Sequence, residues 1–292
     1  MTSKKNIFLI YLLLLLEILL LINSKLIIAS VKESTLMFIT KIFPTLFPTM
    51  ILGNLLIKNN IYLIIPNFIK HIFKKVFNFN DAMTGLFITA MLTGSPTNAM
   101  YINEYVDNKI ITEKEAESLL CVTHFINPLF VIGGVGLGVF KSEKIGFLLL
   151  ILTWVNNFFK AYLNKKHFKN INNNKHIIIK QASFTKLLTQ TIKASINSLL
   201  MIFGIIITFN ILVSLLSNIF NLPYFANCII NGLLEMTGGI IKLSTLNTNV
   251  FYKFIMAYFF LNFGGLCIQM QTFGMFENKK IRYFKYLIFR IF

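Results

Sequence analysis

TGSPTN, Thr93 to Asn98, stops an apolar run that began only at Ala82. As helix, Ala82 to Leu92 reaches about 16 Å, roughly half of a hydrocarbon core of about 30 Å. Thr97 to Val106 can then run back, so the stretch reads as a helical hairpin that enters and leaves the membrane on one face. Three further apolar stretches break in the same manner: FINPLF (Phe125–Phe130), LLEMTGG (Leu233–Gly239) and LNFGG (Leu261–Gly265). Inside lipid, an interrupted helix exposes backbone N–H and C=O groups that no water can reach. Such breaks persist only where protein or a wet cavity covers them. Breaks at corresponding places in two halves of a chain point to a transporter's substrate site. The first reading is therefore a solute carrier.

Composition agrees with lipid as solvent. Of the 292 residues, 55% are hydrophobic and only 13% charged, against about 25% charged in soluble chains. The net charge is +17, but the lysines sit between apolar runs, as in membrane proteins whose cytoplasmic loops are basic. With no interleaved aromatic-basic motif, no nucleic-acid partner is expected. Cys121, Cys228 and Cys267 are far apart and read as small buried apolar residues. The histidines show no metal spacing, and no Ser-His-Asp order, Walker motif or H-E-x-x-H is present. The expectation is a non-enzyme with no metal and no cofactor beyond a coupling Na⁺ or H⁺.

Outward from the breaks, one membrane domain is expected over 1–292, all-α, with two inverted repeats, each holding a re-entrant hairpin and a broken span. Region 1–80 supplies a first span (Ile7–Ile28, uncleaved) and an amphipathic scaffold. Pro44 and Pro48 predict that Met37–Ile57 is kinked, interfacial or partly re-entrant. Ile61–Phe79 either spans or lies along the interface. Region 82–163 holds the first hairpin, a broken span to Phe140 and a simple span from Ile145. Thr112 and Glu115 form a capping box at the start of the broken element. Region 164–194 is a basic cytoplasmic loop with an amphipathic surface helix over Ser183–Ala194. Region 195–217 is a scaffold span, and 220–292 holds the second hairpin, a second broken span and a basic tail. If Ile61–Phe79 spans, all the basic segments fall inside and the two hairpins enter from opposite faces. In GGVGLG (Gly133–Gly138), Gly134 and Gly138 have the spacing that lets membrane helices approach.

The breaks nominate the site. Gly94, Ser95, Pro96, Thr97 and Asn98 begin a return helix whose positive end favours an anion. Thr237, Gly238 and Gly239 form the second tip. Asn127 and Asn262, at the two span breaks, either hold a substrate carboxylate or ring nitrogen or satisfy local backbone. Glu235 is costly in lipid; it coordinates a coupling Na⁺ or proton, or pairs with Lys242. Lys242 draws in an anion or neutralises Glu235. His124, three residues before Asn127 and nearly on its helix face, relays a proton or is simply packed. Gln269 and Gln271 are polar in apolar surroundings but less well placed.

GSPTNAMYINEYVDNKIITEKEAESLLCVTHFINPLFVIGGVGLGVF resembles the signature region of the sporulation integral membrane protein family called YlbJ or SpoVV. The family's hairpin tip typically reads G-Y-P-x-G-A, then a short acidic helix, then x-N-x-x-P-L-F-I-x-G-x-V-G-x-G-x-F. GLLEMTGGI and NFGGLCIQMQ look like its second-half motifs. The resemblance covers roughly Phe38–Phe292, with Ser95 standing where an aromatic is usual and Asn98 where a glycine is. It implies a nucleoside-recognition, or Gate, domain organised like concentrative nucleoside transporters. The role it implies is movement of dipicolinate across the outer forespore membrane. A nucleoside or other small-metabolite carrier, or a membrane subunit that anchors or gates a partner complex, is the alternative. The expected partners are a small-molecule substrate and the bilayer, with homo-oligomerisation left open.

Overall fold

The computed structural model describes residues 4–168, 183–276 and 278–291, and among them there are helices and no strands. Four helical stretches are long and apolar enough to cross a membrane: Ser24–Lys58, Glu143–Leu163, Phe184–Ile219 and Val250–Gly274.

Helix α1 (Lys4–Ile22) turns at Asn23 into α2 (Ser24–Met37). The prolines do not break the helix beyond it. A π segment over Phe38–Ile42 leads directly into α3 (Phe43–Lys58). Pro44 follows the π segment directly, and the wider turn there accommodates a residue that has no N–H to donate. Thr45 and Thr49 donate their hydroxyls to carbonyls a turn earlier, on either side of Pro48. Of the readings left open for Met37–Ile57, a distorted but continuous helix is the one found, as part of a stretch over Ser24–Lys58 long enough to cross, while the expected first span over Ile7–Ile28 divides at Asn23 between α1 and α2. Ile61–Phe79 is not a span either. It divides into a 3₁₀ turn (Ile61–Leu63) and the amphipathic α4 (Asn67–Phe77), too short to cross. The premise for an orientation with opposed hairpins therefore falls away.

Helices α5 (Asp81–Thr93) and α6 (Thr97–Asp107) form the first helix pair, turning at Gly94–Pro96. Helix α7 (Glu113–Val122) opens with the expected capping box. The chain is then non-helical from Thr123 to Asn127, resumes as helix at Pro128, passes into a π segment (Phe130–Leu137) and ends in α8 (Gly138–Phe140). Because that break includes His124 and Asn127, the two do not share a helix face. Helix α9 (Glu143–Leu163) packs along the π segment. The glycine that permits the approach is Gly136, where a β-carbon would stand 2.7 Å from Gly146 Cα, rather than Gly134 or Gly138.

The basic loop lies largely outside the described residues. Ser183–Ala194 is no separate surface helix, since α10 (Phe184–Ile219) runs unbroken for 36 residues. Helices α11 (Tyr224–Leu234) and α12 (Met236–Thr245) make the second pair. Helices α13 (Val250–Phe263) and α14 (Gly265–Gly274) are the halves of a span broken at Gly264, and α15 (Tyr283–Ile291) closes the described chain.

Three apolar clusters fix these pieces. Phe73, Phe77, Phe79 and Phe87 gather α4 and α5 beside α7. The π segment, α9, α12 and α13 share a second cluster, and α2, α3 and α10 a third. Large apolar side chains such as Phe8, Leu21, Ile151, Val155, Leu200 and Phe251 stay exposed along the long helices, which is the surface a bilayer covers and water does not.

Candidate functional site

Three of the four breaks meet at one cavity. Ser95 and Pro96 reach it from the first tip, Ile126 and Asn127 from the break after α7, and Glu235, Met236 and Thr237 from the second tip. Cys267, Ile268 and Gln271 enter from α14, just past the fourth break. Thr45 and Leu46 of α3, Ile202 and Ile206 of α10, and Ile42 and Phe130 of the two π segments complete the wall. The cavity measures about 40 Å³, enough for water but far below the 300 Å³ or more of typical metabolite pockets.

Each tip is built differently. Gly94 has φ +80, and a β-carbon on it would stand 2.8 Å from Asn127 Cα. Only glycine lets the first tip lie on the extended segment. Ser95 N then donates to Phe125 O at 2.6 Å. The second tip is Glu235 itself rather than Thr237–Gly239. Its extended backbone ends α11 and caps α12, and its carboxylate accepts from Thr237 N at 3.0 Å and Gly238 N at 2.5 Å. Thr237, Gly238 and Gly239 belong to the first turn of α12.

The remaining nominated residues scatter. Asn127 lines the cavity yet spends its side chain on the fold, donating to Thr49 Oγ1 (2.8 Å) and Thr93 O (3.1 Å) and accepting from Phe130 N (3.2 Å). Asn98 turns away to Thr123, donating to its carbonyl at 2.8 Å. Asn262 is engaged by Asn156 and Tyr258 and does not line the cavity. Thr97 is buried without a side-chain partner. Lys242 does not pair with Glu235; its ammonium donates to Asn227 Oδ1 at 2.8 Å. Among the described residues no cation pairs with Glu235, which is 1% exposed. His124 lies outside the cavity, 3.3 Å from the Tyr286 hydroxyl. Gln269 holds Phe263 O and the Tyr283 hydroxyl, whereas Gln271 lines the cavity.

Two features are not legible in the sequence pattern. A second cavity of about 280 Å³ lies between α2, α10 and the second pair, lined by Ser34, Asn210, Asn231, Gly238 and Lys242 among others. The Glu235–Gly238 turn stands between it and the smaller one. Separately, Lys160 and Arg290 are buried within electrostatic reach of His124, and Lys160 Nζ, Arg290 Nη1 and His124 Nε2 have no hydrogen-bond partner. Lys160 in the apolar FFKAYL and Arg290 in LIFRIF are the signals for this cluster, although each also fits a membrane-edge lysine or a basic tail.

Length, composition and these helices define an all-helical integral membrane protein. The chain is 25% identical over 287 residues to the sporulation integral membrane protein YlbJ of Bacillus subtilis (strain 168), covering 86% of this chain and 70% of the relative. The similarity runs over most of both chains, and the relative's name describes an integral membrane protein of sporulation. No family model matches the chain, and no solved structure matches it.

Proposed function

We propose that the chain is a carrier for a small anionic metabolite, dipicolinate at the outer forespore membrane being the solute that the family resemblance implies. The observation that carries the reading is the convergence of three backbone interruptions on one cavity. Breaks of this kind are costly in hydrocarbon and are tolerated where they line a wet site. We read α5–α6 and α11–α12 as the two hairpins of a repeated unit. The start of α6 borders the cavity through Ser95 and Pro96, and the positive end of a helix suits a carboxylate.

A volume of about 40 Å³ cannot hold an aromatic dicarboxylate, so this is a closed state, and loading requires a tip to move. The second tip is the mobile one in this reading, because a cavity lies on each side of it. No cationic side chain lines the small cavity, so an anion is admitted only when the charge of Glu235 is neutralised.

The test is flux of labelled dipicolinate into proteoliposomes holding the purified chain, with Na⁺ and pH gradients imposed separately. Saturable, gradient-driven uptake is expected. Uptake of uridine in place of dipicolinate would reassign the solute. Absence of flux for both, with the protein folded, would leave the anchoring role instead.

A further inference from the structure

Gly238 marks a place where three side-chain oxygens from three elements converge. A β-carbon built there would stand 3.1 Å from Glu235 Oε2, 3.2 Å from Asn231 Oδ1 and 3.3 Å from Asn210 Oδ1. Glycine leaves that volume open, and the 280 Å³ cavity borders it through Asn210, Asn231 and Gly238. We infer that this volume is a binding site for a monovalent hard cation, Na⁺ above all, held by Glu235, Asn231 and Asn210.

The amide orientations follow from their neighbours. Ser34 spends its hydroxyl proton on Ser30 O at 2.7 Å, so its oxygen can only accept, and Asn210 Nδ2 donates to it at 3.0 Å. Asn210 Oδ1 is left facing Gly238. Lys242 Nζ donates to Asn227 Oδ1 at 2.8 Å, which fixes that oxygen as an acceptor. Asn231 Nδ2 then donates to Asn227 Oδ1 at 2.6 Å and to Asn227 O at 2.8 Å, and Asn231 Oδ1 also faces Gly238. Lys242 therefore supports the site by orienting an amide, while its own charge is drawn to Asn227 and away from Glu235. Each Glu235 oxygen accepts one backbone N–H; a second lone pair on Oε2 remains for a cation.

The donor set selects the ion class. All three ligands are oxygens, as hard cations require, and sulfur or imidazole donors that favour zinc or copper are absent from it. One carboxylate with two neutral amides balances a single positive charge, whereas calcium sites gather several carboxylates. Glu235 is buried without a cationic partner among the described residues, and an uncompensated buried carboxylate is strongly disfavoured. The inference deepens the carrier reading and rests on it for its role, since the cation would neutralise the one charge in the small cavity before an anion enters it. Na⁺ and solute would then travel in the same direction.

Thermal unfolding of the purified full chain in detergent tests this without any solute, by titrating NaCl against KCl and choline chloride at constant ionic strength and at several pH values. Saturable stabilisation by Na⁺ but not choline is expected. Asn210→Ala and Gly238→Ala, the one removing a ligand and the other filling the volume, should each raise the half-saturating Na⁺ concentration by about tenfold or more. Lys242→Met should weaken Na⁺ less than either, as an orienting residue. If Na⁺, K⁺ and choline act alike, or if Gly238→Ala and Asn210→Ala titrate as wild type, the site does not exist. If stabilisation follows pH alone, Glu235 takes a proton and the inference also fails. Should a variant not fold, the other carries the test. Na⁺ binding with no dipicolinate flux would sink the solute assignment and leave the cation site standing.

Discussion

The two tips solve one problem, a backbone break away from water, by opposite means. The first tip is neutral and tied down: Gly94 lies against Asn127, Ser95 N reaches Phe125 O, and Asn127 and Asn98 spend their amides on Thr93 and Thr123. Apart from the Ser95 hydroxyl, which borders the cavity, these groups are tied to its own broken span. The second tip carries a carboxylate that satisfies only the first turn of α12, with a cavity on either side. Gly265 of the second broken span still approaches it, where a β-carbon would stand 2.9 Å from Met236 N. In the carrier reading this is a division of labour, with the first tip as scaffold and the second as the part that exchanges partners.

Glu235→Gln should break that comparison most sharply. It leaves an amide in the same volume but removes the charge, so flux driven by a Na⁺ gradient should fall by about a hundredfold, near the upper range of coupling between sites. Folding, read by size-exclusion profile and melting temperature, should be largely kept, because removing a buried charge offsets the loss of one of the two backbone N–H bonds, a Gln oxygen being able to serve only one side. Equal loss of folding and flux would make the second tip as structural as the first. The counterpart is Gly94→Ala. At φ +80 and against the Asn127 backbone, an alanine should cost about 3 kcal/mol through strain and overpacking. It should lower yield and melting temperature while leaving the Na⁺ dependence of the folded fraction unchanged. Asn127→Ala is milder. Losing its bonds to Thr93 O and the Phe130 N–H should cost about 2 kcal/mol, again in stability first; a flux defect without destabilisation would move Asn127 from scaffold to substrate contact.

The sequence made the breaks legible because Gly, Pro and Asn within apolar runs have few other readings. The hairpin-sized pieces over Asp81–Asp107 and Tyr224–Thr245, and the interruption at Gly264, stand within a few residues of their expected places. Pro44 and Pro48 left Met37–Ile57 open between a kinked, an interfacial and a re-entrant segment, because the π segment and threonine hydroxyls that keep the helix going past them depend on neighbours and not on the prolines themselves. Ser183–Ala194 misled because polar residues at the start of α10 look like a surface helix although the helix simply continues. In the site, Glu235 was visible as a lone carboxylate among apolar residues, but its companions were not. Asn210 and Asn231 are ordinary asparagines until α10 and α11 bring them beside Gly238. Lys242, seven residues after Glu235, suggested an ion pair, and its ammonium goes to Asn227 instead.

The smallest effect concerns how far the second half moves. Helix α15 is fastened to the first half at α7, where Arg282 reaches Glu117 at 2.7 Å and Lys285 stands 3.4 Å away. Burial opposes ionisation of the Glu117 carboxyl, but the hydrogen bonds from Arg282 and the charge of Lys285 outweigh it and hold the group at about 2, below its ordinary 4.5. A lowered carboxyl contributes stability that is fully present above about pH 4.5 and is lost as pH falls through about 2. Arg282 is 73% exposed, so salt screens the pair and its contribution is small. Glu117→Gln should therefore lower the melting temperature at pH 7 by only about a degree or two. The difference from wild type should close between pH 4.5 and 2, and raised salt should narrow it. Flux should not change, because α15 then rides with the scaffold while only the second tip moves. A large flux defect in Glu117→Gln would mean that the clamp itself works in the transport cycle, and the moving unit would have to be redrawn to include α15.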